Sequence, residues 1–165
     1  MSDHLDTLKK LHTRVIDSRD GYKHSREDVA DERGFVGFFD RRIAEREQFH
    51  TVIHRQLGAE GVDVSENGST AAAAHRGWLS LKDSLTGNDE AVYDEIISGE
   101  EQLLKLYDDA ISATTGKPEW SFLSSQRADV EKAITEHGRK RAATPPDPQI
   151  LFGSICAVLR GRRIS

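Results

Sequence analysis

The stretch FVGFFDRRIAEREQFHTVIHRQL (residues 35–57) decides the fold. Phe35, Phe39, Ile43, Phe49, Ile53 and Leu57 return to one face at the spacing of an α-helix, and no proline breaks the run. The spacing predicts a helix from about Glu32 to Leu57, with Gly58 as its C-cap. Inside it stands Glu47-x-x-His50, the i, i+3 pairing by which carboxylate-bridged di-iron bundles offer two ligands to one ion. The residues around this segment decide whether that pairing is half of a metal site.

Upstream, Leu5, Leu8, Leu11, Val15, Tyr22 and Val29 predict a first helix that Asp3 can cap. Downstream, the turn-rich AEGVDVSENGST (59–70) leads to a shorter helix carrying Ala71, Ala74, Trp78, Leu81 and Leu85. TGND (86–89) ends it and starts another, on which Val92, Ile96, Ile97, Leu103, Leu104, Tyr107 and Ile111 share a face. After TTGKP (114–118) a fourth long helix runs from about Pro118 to Lys140, with Trp120, Leu123, Val130 and Ile134 inward. No segment alternates as a strand does. The expected fold is all-α: a ferritin-like four-helix bundle over residues 1–143, with a crossover connection carrying the short extra helix. TPPDP (144–148) then opens a Pro-rich linker and an apolar and basic C-terminal tail, residues 144–165.

Composition narrows the function. The 165 residues carry a formal charge of -5, 31% charged and 36% hydrophobic side chains, with no sustained basic stripe, so nucleic acid is not an expected partner. The N-terminus MSDHLDTLKK has no apolar core of a signal peptide, and no run approaches the roughly 20 apolar residues of a transmembrane segment. A single cysteine, Cys156, cannot form an internal disulfide, and the expected compartment is a reducing cytoplasm.

A complete di-metal site needs a carboxylate on each of two helices and Glu-x-x-His on the other two. At about 100° per residue, His50 faces inward on the second helix, Arg46 centres its apolar face and Glu47 lies on the flank. Glu100 lies in the middle of the third helix's apolar face, and His137 faces inward with Gln126 on the fourth. Asp17 and Asp20 point away from the first helix's stripe, and Ile134 stands where a second Glu-x-x-His would need its Glu. The full ligand set is therefore missing. Two readings of the interior remain. In the first, Glu100 pairs with Arg46 in a structural polar core completed by Tyr22, Tyr107 and Gln126, and no cofactor is expected. In the second, Glu47, His50, Glu100 and His137 form an irregular site for iron or manganese. Histidines 4, 12, 24 and 54 read as surface residues, although His50 and His54, one turn apart, could hold an ion weakly.

The elements IDSRDGY (16–22), AAHRGWLSLKDSLTGND (73–89) and GEEQLLKLY (99–107) resemble an uncharacterised bacterial family of ferritin-like four-helix proteins, the domain of unknown function 2383. The likeness spans about residues 5–140. It implies a ferritin-like bundle and no established activity, and the family pattern does not call for Glu47 or His50.

The tail ILFGSICAVLRGRRIS approaches a helical apolar stripe ending in basic residues. Docking onto its own bundle or onto a sister subunit is the leading reading, with a protein partner's groove or an anionic surface as alternatives. ILFGSI also loosely resembles the peptides that load cargo into encapsulin shells. The expectation is a homo-oligomeric binding and assembly protein, stress-associated in one version, that is not an enzyme. The rival is a metal-binding oxidoreductase or iron-handling protein.

Overall fold

The computed structural model describes residues 3–28, 35–69 and 89–143. All regular structure within them is helical: α1 (Asp3–Asp28), α2 (Val36–Ala59), α3 (Asp89–Ala113) and α4 (Phe122–Ala143), with a 3-10 turn at Pro118–Trp120. Among the described residues the protein is an all-α bundle of four long helices. The short helix expected at 71–85, its HRGW motif and the tail from 144 onward lie outside the described residues.

Two helix ends differ from the sequence expectation. Gly58 is an ordinary helical residue, and α2 closes at Gly61, whose φ is +75°. The Gly61 N–H donates to the Gly58 carbonyl at 3.0 Å and the Val62 N–H to the Leu57 carbonyl at 3.0 Å. That pair of bonds is the Schellman closure, in which a left-handed residue folds the chain back and Val62 covers the helix end. The fourth helix begins at Phe122 rather than Pro118, because Pro118 opens a 3-10 turn that buries Trp120. The Trp120 indole Nε1–H donates to Glu60 Oε1 at 2.5 Å, tying that turn to the end of α2.

Side-chain pairings fix the helix directions. On α1 the buried order runs Leu8, Leu11, Val15, Tyr22; Tyr22 meets Phe38 and Phe39 at the start of α2, while Leu8 and Leu11 share a core with Phe49, Ile53 and Leu57. Tyr22 also lies with Val92 and Ile96, and the Leu8 end with Leu103, Tyr107 and Ala110. α1 is therefore antiparallel to both α2 and α3, so α2 and α3 run parallel. Two parallel helices cannot be joined by a tight turn, and residues 60–69 begin the return, with the Ser69 N–H reaching Asp17 on α1. α4 closes the second hairpin against α3.

The core is in two parts. An aromatic cluster of Tyr22, Phe35, Phe38, Phe39, Val92 and Ile96 fills one end. A larger cluster built on the leucines of α1, α2 and α3 with Trp120, Leu123 and Val130 fills the rest. In chain order, Ser18, Arg46 and Glu100 stand between the two clusters on their respective helices.

Candidate functional site

The central layer holds a charged pair with no exposure to solvent. Arg46, at 0% exposure, donates from Nη2 to Glu100 Oε2 at 2.5 Å, and Glu100 is 2% exposed. The Tyr22 hydroxyl donates to the other Glu100 oxygen at 2.5 Å, and Arg46 Nε donates to Ser18 Oγ at 3.2 Å. Arg46 Nη1 reaches Glu45, Glu45 is shared with Arg42, and Arg42 Nη2 reaches Glu136 at 2.9 Å. Alternating charges thus cross from α3 through α2 to α4. Burial alone would favour a neutral Arg46, but the Glu100 carboxylate outweighs it and holds the guanidinium charged. Burial and then the adjacent Glu100 push the Tyr22 hydroxyl well above its ordinary pKa, so it stays a donor. Both Glu100 oxygens are therefore taken by fixed donors.

Tyr107 and Gln126 use a hydrogen bond on each other, Tyr107 O–H to Gln126 Oε1 at 2.9 Å, rather than on Glu100. Glu47 is exposed and takes Arg19 at 3.1 Å, with its second oxygen 3.9 Å from His50 Nδ1. His137 is buried in a T-shaped contact with Phe38, with ring centroids 4.6 Å apart, and neither of its nitrogens has a hydrogen-bond partner. Its charged neighbours are Arg42, Glu136, Lys140 and Arg46, and burial with these cations lowers its pKa to about 3. A neutral ring among cations is poorly placed to receive a metal ion. Of the four residues proposed for an irregular iron or manganese site, Glu47 and His50 approach one another, and Glu100 is committed to Arg46 and Tyr22. A guanidinium in the middle layer does not fit a dinuclear iron or manganese centre.

Among the described residues, the ligand-bearing side chains that converge are His12, His50 and His54. His12 comes from α1; His50 and His54 come from successive turns of α2. One nitrogen of each lies within 4.8 Å of the other two. His12 is 1% exposed and His50 5%, whereas His54 is half-buried. His12 is therefore a core residue, not the surface residue that the sequence reading expected. A wheel would have found it, since His12 falls about 40° from Leu8 on the same face.

The connection after α2 runs back over this cluster. Glu66 Oε1 lies 3.2 Å from His54 Nε2, and the Ser69 N–H donates to Asp17 Oδ1 on α1 at 2.7 Å. A Cβ at Gly68 would fall 2.2 Å from Asp17 Oδ1, so a larger residue there would have to displace that carboxylate. No helix among the described residues is long and apolar enough to cross a membrane.

No curated protein and no solved structure matches the chain. A family profile, the domain of unknown function DUF2383, matches residues 3–113. That range takes in α1, α2, the crossover and α3, and so both the central ion pair and the histidine cluster: the chain belongs to the DUF2383 family.

Proposed function

We propose that this chain is a ferritin-like bundle that serves as a binding and assembly module, with its central layer used for structure and not for di-iron chemistry. The observation that carries this reading is the Arg46–Glu100–Tyr22 arrangement. It places a positive charge at the depth where a ferritin-like protein would gather carboxylates around two metals. Association would be the work of the apolar and basic tail, docking on a sister subunit to give a homo-oligomer in a reducing cytoplasm.

Two measurements on the purified chain test the reading together. Fe(II) oxidation followed by oxygen consumption should run at the protein-free rate, and deletion of residues 146–165 should reduce the mass measured by light scattering while helix content is kept. Protein-dependent oxidation abolished by Glu100→Gln would overturn the structural role of the layer. An unchanged mass after the deletion would overturn the role of the tail.

A further inference from the structure

Buried histidines usually spend their nitrogens on hydrogen bonds, because a polar atom withdrawn from water without a partner costs about 1–3 kcal/mol. His12 and His54 follow that rule: His12 Nε2 lies 3.2 Å from His54 Nδ1. His50 does not. Both of its nitrogens are buried and without a hydrogen bond, and its ring centroid is 5.0 Å from that of His12 and 5.5 Å from that of His54.

The geometry points to a mononuclear site for a divalent transition ion of the zinc type, held by His12, His50 and His54, with one coordination position open to solvent. The site goes beyond the assembly role proposed above and does not depend on it. Zinc binds imidazole nitrogen at about 2.0–2.1 Å, which sets nitrogens around a tetrahedral ion about 3.3 Å apart. The His12–His54 pair is already at 3.2 Å, and the 4.8 Å limit on the whole trio leaves only a small inward movement. His50 and His54 are four residues apart on one helix, the spacing at which two imidazoles on successive turns address one ion.

The surroundings are those of a metal ligand set. His54 presents Nδ1 to the cluster and Nε2 to Glu66, so a proton on Nε2 donates to the carboxylate and leaves the Nδ1 lone pair facing inward. A carboxylate behind a ligating histidine in this way fixes its tautomer and raises its basicity. An ion would take the place of the His12 Nε2–H proton, which moves to Nδ1 of the same ring or to water. Burial and the neighbouring His50 and His54 lower the pKa of His12 to about 4, and burial followed by Arg19 lowers that of His50. The Arg19 charge is itself matched by Asp20 at 2.8 Å and Glu47 at 3.1 Å. Three imidazole nitrogen donors suit zinc and its neighbours in the series over manganese, magnesium or calcium, which prefer oxygen. Access is from the side of half-buried His54 and exposed Glu66, where a water can occupy the fourth position.

Calorimetry with Zn(II) on the full chain, and visible absorption with Co(II) as the probe, test the site. The expected result is one ion per chain and a tetrahedral Co(II) spectrum. His50→Ala should lower affinity by at least about 100-fold, and Glu66→Gln by about 10-fold, with helix content unchanged. His54→Gln, at the half-buried edge, serves as the second ligand variant should His50→Ala fail to fold. Absence of stoichiometric Zn(II) binding in the folded chain, or binding that survives His54→Gln undiminished, overturns the proposal. Both readouts are per chain, so neither changes if the tail proves to have no part in assembly.

Discussion

The bundle buries two polar constellations a short way apart along α2, and they differ in how far their valences are filled. Around Arg46 each donor nitrogen has an acceptor and each Glu100 oxygen a donor. Around His50 the reverse holds: two buried nitrogens face neighbours without bonding to them. A saturated network has no capacity left for a ligand, whereas an unsaturated one keeps donor atoms in reserve. On that difference rest the two proposals, structure for the first and ligand binding for the second. The contrast breaks most visibly at Glu100. Glu100→Leu should lower the unfolding free energy, measured by urea denaturation, by about 3 kcal/mol, the low end of the range for splitting a buried pair, since Glu45 still faces Arg46. Adding Arg46→Met should restore most of the loss, because an apolar pair of similar volume does as well in a core. A Glu100→Leu cost near zero would mean that the layer is not holding the bundle together.

His137 sharpens the distinction from the other direction. It too has unpartnered nitrogens, but it sits against Phe38 among Arg42, Lys140 and Arg46, with Glu136 as the nearby anion. Its folded pKa of about 3 lies below the ordinary 6.5, so below pH 6.5 the unfolded chain binds a proton that the folded chain refuses. Stability from this residue is complete above pH 6.5 and is lost as the pH falls toward 3, amounting to about 2 kcal/mol by pH 5. His137→Leu should stay within about 1 kcal/mol of the parent at pH 7, since it removes two unsatisfied atoms along with some packing. The variant should then gain about 2 kcal/mol on the parent between pH 7 and pH 5, by thermal denaturation at the two pH values. Parallel losses in both proteins would show that His137 finds a partner in solution.

The sequence carried the two sites unequally. Arg46 and Glu100 could be assigned inward positions from the 100° turn alone, because apolar residues flank each on both sides, and the pairing then follows from opposite charge. For His12 the 100° turn gives the inward position but not the partner: a single histidine beside a leucine stripe looks the same whether it is capped by water or by another ring. Its meaning depends on the register between α1 and α2, which periodicity within one helix does not specify. Glu66 was still less legible, since it lies in a turn-rich segment whose return path is set by Gly61, Gly68 and Asp17 rather than by any repeat. The four long helices were read to within a few residues from apolar spacing. The errors fell at Gly58 and Pro118, where a glycine inside a helix and a proline opening a 3-10 turn imitate the usual boundary residues.

The smallest expected effect concerns the crossover's first return contact, and it links the two regions of the comparison to their cover. A Cβ on Gly68 would meet Asp17 Oδ1 at 2.2 Å and Ile16 Cγ2 at 3.3 Å, so Gly68→Ala must displace the strap or turn Asp17 away from the Ser69 N–H. Either response gives up one hydrogen bond, about 1 kcal/mol, and leaves the helices untouched. Faster amide exchange confined to the segment around Ser69 would report it. In an Asp17→Ala background the bond and most of the clash are already gone, so the added cost of Gly68→Ala should fall well below its cost in the parent; equal costs in both backgrounds would place the strain elsewhere. Glu66 stands two residues before Gly68. Zn(II) affinity in Gly68→Ala should therefore fall, but by less than in Glu66→Gln, because the carboxylate is displaced and not removed.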